Sequence, residues 1–230
     1  MTSKTILIIG ASRGIGRELV LNFSKDASFK IIALSRNLEA MKKSFDADKV
    51  DAYAFDLESP NRKEELTAIL SNYKQLDFVI NNAGRLVNKP FLELTKEDIR
   101  SCYEVNVMSV MECTQAIVTK MQDNGGHIVN ISTMGGFQGT VKFPGLAAYS
   151  TSKAAVVSFT ELFAEEYKDS KIKMNCLCLG AAQTEMLEEA FPGYKAPLSA
   201  AEMAEFISDF TRRSHHYMNG KVLPVSLTTP

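Results

Sequence analysis

The chain has 230 residues, 45% of them hydrophobic, and its 26 basic and 27 acidic side chains leave a formal net charge of -1. That is ample apolar material for a buried core, in one large domain or two small ones. The charge balance, with no long basic run, argues against nucleic acid or an anionic membrane as partner, and the four cysteines and three histidines show no zinc-ligand spacing.

The pattern begins with a strand over 4–10. Lys4 ahead of Ile6-Leu7-Ile8-Ile9 has the look of a secretion signal, but the apolar run is too short and a glycine-rich turn follows it. No segment reaches the ~18 apolar residues of a membrane span. Unpaired thiols suit a reducing compartment, so the expected location is cytoplasmic. Further strands are predicted over 29–35, 50–56, 76–81, 125–132, 171–178 and 221–225, and helices over 14–26, 38–46, 60–73, 95–122, 149–168 and 199–212. Unbroken apolar runs such as 5–9 indicate strands buried on both faces. Ser59-Pro60 reads as an N-cap and first helical residue. Thr95 ahead of Lys96-Glu97-Asp98 reads as a cap followed by first-turn acids. Strands and helices that alternate along the whole chain predict one α/β domain over 1–230. Its core is a doubly wound sheet of about seven parallel strands with helices on both faces. Ligands bind such sheets beyond the carboxyl ends of the strands, and the unusual residues of this chain do follow strands.

Gly10-Ala11-Ser12-Arg13-Gly14-Ile15-Gly16 leads from the first strand into the first helix. Gly10 permits a tight turn, while Gly14 and Gly16 let backbone approach a phosphate and helix pack on strand. The helix N-terminus then offers free N–H groups to the anion. Further along, Tyr149 and Lys153 stand one helical turn apart on one face. A free phenol titrates near ~10. A neighbouring ammonium is expected to stabilise the phenolate and lower that value, which makes the pair an acid/base unit.

The G-x-x-x-G-x-G turn, Asn81-Asn82-Ala83-Gly84 after the fourth strand, and Tyr149-x-x-x-Lys153, in this order, resemble the short-chain dehydrogenase/reductase family over residues 4–225. The resemblance implies a Rossmann-like fold and hydride transfer between a nicotinamide and a small carbonyl or alcohol, with Tyr149 as general acid/base. The implied cofactor site takes Gly10, Ser12, Arg13, Gly14, Ile15 and Gly16 from the turn, and Ser35 and Arg36 from the end of the second strand. Asp56 and Leu57 would lie at the adenine, and Asn82, Ala83 and Gly84 would border the cofactor. Tyr149 and Lys153 join them, the lysine on the nicotinamide ribose, with Gly180, Ala182 and Thr184 closing the site and Thr184 on the carboxamide. No acid ends the second strand, and Arg13 and Arg36 offer cations for a 2′-phosphate. NADP(H) is therefore favoured, with NAD(H) an alternative.

Asn106 matches the helix asparagine that completes the family's catalytic set and holds a relay water. A hydroxyl donor is due at the end of the fifth strand. Register against Met134-Gly135-Gly136 favours Thr133; Ser132 is the alternative, since strand neighbours face opposite ways and only one can serve. Leu179 replaces the family's proline before Gly180, which is expected to loosen that loop. The segment 185–198, with Met186, Leu187, Phe191, Pro192, Tyr194 and Leu198, is the expected substrate lid. Met134, Phe137 and Phe143 would face it, which suits a small apolar carbonyl compound. A homodimer or homotetramer through the helices over 95–122 and 149–168 is implied, although Ser226-Leu227-Thr228-Thr229-Pro230 replaces the family's usual tail. The other readings are an NAD-dependent alcohol dehydrogenase, a 3-oxoacyl-carrier reductase and a non-catalytic nucleotide-binding regulator on the same fold.

Overall fold

Residues 3–227 are described by a computed structural model of the chain. Its strands are β1 (Lys4–Ile9), β2 (Phe29–Ser35), β3 (Val50–Ala54), β4 (Phe78–Asn81), β5 (Gly126–Thr133), β6 (Ile172–Leu179), β7 (Ala182–Gln183), β8 (Leu198–Ser199) and β9 (Val222–Val225). Seven form one sheet in the order β3-β2-β1-β4-β5-β6-β9, every neighbouring pair parallel. The short β7 and β8 pair with each other alone. The helices are α1 (Gly14–Phe23), α2 (Leu38–Ser44), α3 (Arg62–Leu70), α4 (Lys96–Tyr103), α5 (Ser109–Val118), α6 (Ala147–Glu166), α7 (Glu185–Ala190) and α8 (Ala200–Arg213).

The apolar run of β1 explains the layering. Ile6 and Ile8 pack into a core shared with Leu19 and Phe23 of α1 and Met203 and Ile207 of α8. Leu7 and Ile9 point the other way, into a core with Leu66 of α3, Ile117 of α5 and Phe163 of α6. A strand buried on both faces needs apolar side chains at every position, not at alternate ones. The order of strands reverses at β1, with β2 and β3 to one side and β4, β5 and β6 to the other. The crevice at the carboxyl ends of β1 and β4 is thus the switch point where ligands bind.

Three local expectations change. The helix foreseen over 95–122 is α4 and α5 joined by a π-helical turn, Glu104–Met108, in which the Ser109 amide bonds the Glu104 carbonyl. Periodicity cannot register one wide turn that leaves the flanking faces in place. The helix foreseen over 60–73 starts later, at Arg62. Ser59 is not its cap: the Ser59 hydroxyl accepts from the Asn61 amide and donates to Glu65 instead. Thr95 does cap α4, in a reciprocal box with Asp98. Leu179 does not loosen its loop. It ends β6 paired with both Thr133 and Val225, and the Gly180 amide donates to the Val225 carbonyl at 2.8 Å.

Candidate active site

The glycine turn is shaped by backbone contact. Gly10 has a φ of +90°, and a Cβ there would come within 2.7 Å of the Ala83 backbone; a Cβ on Gly16 would collide with the Gly10 carbonyl. Only glycine fits either place. Asn82 buttresses the turn, its Nδ2 donating to the Gly10 carbonyl at 2.9 Å. Arg13, at the N-cap of α1, makes no side-chain cap, and the first turn carries no acid. The opening amides of the helix are thus left without a side-chain cap, and this donor set fits a phosphate. Ser12 sits beside the end of β2, where Ser35 donates to it at 2.7 Å. Ile15 is half-buried against the core, and Leu57 is half-buried just after β3. Asp56 is exposed, its carboxylate turned to the Glu58 amide.

The catalytic candidates converge at the carboxyl ends of β4 and β5. Lys153 is 4% exposed, and its Nζ donates to the Ile131 carbonyl at 2.8 Å and the Ala83 carbonyl at 3.4 Å. Burial drives its pKa down to about 8. Tyr149, one turn earlier on α6, is pushed up to about 12 by burial, while a hydrogen bond with Thr133 works in the opposite direction. The expected lowering of the phenol by Lys153 is therefore corrected. The ammonium is turned to two carbonyls, and desolvation governs the phenol. Thr133 and Ser132 do face opposite ways. Thr133 lies against Tyr149, whereas Ser132 is buried with its Oγ donating to the Lys153 carbonyl at 2.9 Å.

Asn106 is fully buried in the π-helical turn. Its Oδ1 accepts from the Arg85 amide at 2.8 Å, and its Nδ2 donates to the Arg85 carbonyl at 2.9 Å and to Ser152 Oγ at 2.8 Å. The side chain of Asn106 thus clamps the segment after Gly84 to α6. The backbone of Gly84 passes close to both Asn106 and Lys153.

Each of the two cations foreseen for a 2′-phosphate holds a carboxylate of this chain. Arg13 pairs with Glu189 of α7, and Arg36 with Glu58 at 3.5 Å. Thr184 caps α7 through the Leu187 amide at 3.2 Å, and its methyl group lies over Gly14. Ala182 is buried in β7. The segment over 185–198 is not a bare loop: it contains α7 and reaches β8, with Phe191 half-buried and Tyr194 exposed. Opposite it, Met134 is buried, Phe137 half-buried and Phe143 exposed. Of the atypical tail, Ser226 packs against Gly180; Thr228, Thr229 and Pro230 lie outside the described residues.

Sequence reading missed a buried amide relay. Asn81 and Asn130 are register partners on β4 and β5; Asn81 donates to Asn130 at 2.7 Å, and Asn130 donates to Thr160 of α6 at 2.9 Å. The signal was there: one amide in each of two neighbouring strands, each directly after apolar residues. Ser152, the partner of Asn106, was missed too, because a serine beside Tyr149 carries no spacing signature.

A profile of the short chain dehydrogenase family matches residues 4–195. The 3-oxoacyl-(acyl-carrier-protein) reductase FabG of Thermotoga maritima is 30% identical over 210 residues, 89% of this chain and 82% of its own length. A diacetyl reductase, (S)-acetoin forming, of Staphylococcus epidermidis is 31% identical over 192 residues, 80% of this chain and 73% of its own. The crystal structure of a short chain dehydrogenase from Salmonella enterica serovar Typhi superposes with a TM-score of 0.86 at 27% identity, covering 97% of this chain and 96% of that one. By this likeness along nearly its whole length, the chain belongs to the short chain dehydrogenase family and is a nicotinamide-dependent oxidoreductase.

Proposed function

We propose that the chain reduces a small apolar carbonyl compound with NADP(H). The observation that supports this most is the Thr133 hydroxyl set against the Tyr149 phenol, with Lys153 one turn further along the same helix. The dinucleotide, when bound with its pyrophosphate at the glycine turn, would supply the hydride from its nicotinamide. Thr133 donates a hydrogen bond to the substrate oxygen and holds it beside the phenol. Tyr149, protonated throughout the neutral range because burial disfavours its phenolate, delivers its proton to that oxygen. Lys153 keeps a cation beneath the site and reaches the ribose, and Asn106 keeps the segment after Gly84 in register with α6. Gly10, Gly14 and Gly16 hold the pyrophosphate, with Ser12, Ser35, Asp56 and Leu57 around the adenosine. Gly180, Ala182 and Thr184 lie at the nicotinamide end. Arg13 and Arg36 are the cations for the 2′-phosphate; each carries an exposed guanidinium that an added dianion can recruit.

The segment over 185–198 covers the substrate, and the apolar side chains around it, Phe143 and Tyr194 among them, suit an uncharged ketone. The relative that reduces diacetyl makes a small diketone the first compound to try. A cytoplasmic homodimer, with its buried cysteines reduced, completes the reading. The experiment is Tyr149→Phe. Turnover of a small diketone with NADPH is expected to fall at least about 1,000-fold while NADPH still binds. Retained turnover would remove Tyr149 from the mechanism.

A further inference from the structure

The α7 segment forms a strap pinned at its C-terminal end by two consecutive residues. Glu189 grips Arg13 of the glycine turn through both guanidinium nitrogens, with the Nη2 contact at 3.1 Å. Next to it the Ala190 carbonyl accepts from Asn88 Nδ2, in the loop after β4, at 2.9 Å. At the N-terminal end of the strap the Glu185 carboxylate lies over Gly14, 3.5 Å from where a Cβ would stand. The strap thus presents carboxylates to the end of α1 whose side-chain cap is missing.

A guanidinium presents its planar fork to one anion at a time. Arg13 and Glu189 have side chains 48% and 62% exposed. A pair so open to water is weak, and a phosphate dianion can take the arginine from it. We propose that Glu189 is a specificity-determining residue for the cofactor: it competes with the 2′-phosphate of NADP(H) for Arg13, so that NADP(H) unlatches the strap and NAD(H) leaves it latched. This rests on the reading of Arg13 as a 2′-phosphate ligand. It goes beyond that reading by tying recognition at the adenosine end to the position of a segment over the substrate. Glu189 touches neither substrate nor the reacting atoms; it acts through Arg13.

The test is a titration of NADPH and NADH, followed by nicotinamide fluorescence, into the wild type, E189Q, R13A and the double variant R13A/E189Q. In E189Q the Kd for NADPH is expected to fall about three- to fivefold, the range open to an exposed pair, with NADH unmoved. The gain should vanish in the double variant, where no arginine is left to release. Tryptic cleavage after Lys195, just past α7, adds a readout of the strap itself. NADPH should speed it in the wild type, NADH should not, and E189Q should be cut at the faster rate without ligand. An equal change for both cofactors, no change, or a gain that survives in R13A/E189Q would overturn the latch. Wild-type preference for NADH, with E189Q still gaining only toward NADPH, would support the latch while overturning the NADP(H) reading.

Discussion

Ser132 and Thr133 differ by one methyl group and one step along β5, yet the fold gives them separate tasks. Ser132 holds the backbone of α6, and Thr133 meets the phenol. Thr133→Ala is therefore expected to lower kcat about 100-fold, the scale of one lost oxyanion donor, without a large change in melting temperature. Ser132→Ala should cost stability, about 1–3 kcal/mol in urea titrations, with kcat little changed. A reversed pattern would move the donor to Ser132. The acid/base pair has its own signature. Burial disfavours the charged form of each group, so it raises the phenol to about 12 and lowers the ammonium to about 8. Across neutral pH Tyr149 keeps its proton and Lys153 keeps its charge. The kcat/KM for carbonyl reduction should be level below about pH 8 and fall above it as Lys153 loses its proton; a rise through that region would mean that the phenolate is the working form. The sequence made this pair visible through its spacing but misjudged the phenol. A four-residue interval says that two groups are neighbours and says nothing of how much water they lose.

At the scale of elements, the turn from β1 into α1 is a contact of backbone on backbone. Gly16→Ala would force its methyl group into the Gly10 carbonyl, which Asn82 also holds. We expect a loss of about 1–3 kcal/mol in thermal or denaturant unfolding, from overpacking, and cofactor affinity weakened by about tenfold or more. Unchanged cofactor binding would show that the turn can give way. The strands and the glycine turn were legible because their signals are local: unbroken apolar runs and glycines at fixed offsets. The π-helical turn was not. Its cause is tertiary: Asn106 is tethered to Arg85 and Ser152, and Glu104 is paired with the buried Arg62 of α3 at 2.5 Å. No window of neighbouring residues carries such contacts. The cap at Ser59 failed for a local reason: its hydroxyl donates to Glu65, six residues on, instead of capping a helix amide.

For the molecule as a whole, the alternation of strands and helices was enough to give the sheet and its two covered faces. It could not say which helices meet a second copy. Met108 and Met111 stand exposed at the start of α5, and Leu162 is 68% exposed on α6. These are the elements that the proposed dimer would bury, and large apolar side chains left in water mark such surfaces. Placing glutamate at both Met111 and Leu162 should convert the protein to a monomer by light scattering while NADPH still binds. An unchanged mass would move the contact elsewhere.

The parallel sheet also governs when the cleft can exist. No two neighbouring strands are joined by a hairpin. The pairing of β1 with β4 starts at Ile6 and Phe78, and that of β5 with β6 at Gly126 and Ile172, so each joins residues far apart in sequence. The cleft draws its walls from Gly10, Ala83, Thr133 and Lys153, and its strap closes with Glu189. During synthesis from the ribosome, the glycine turn is made first and stays without walls while most of the chain is still to come. Pairings this distant in sequence form late and slowly. Cofactor binding is then a property of the finished chain, and its first appearance after dilution from denaturant marks the end of folding.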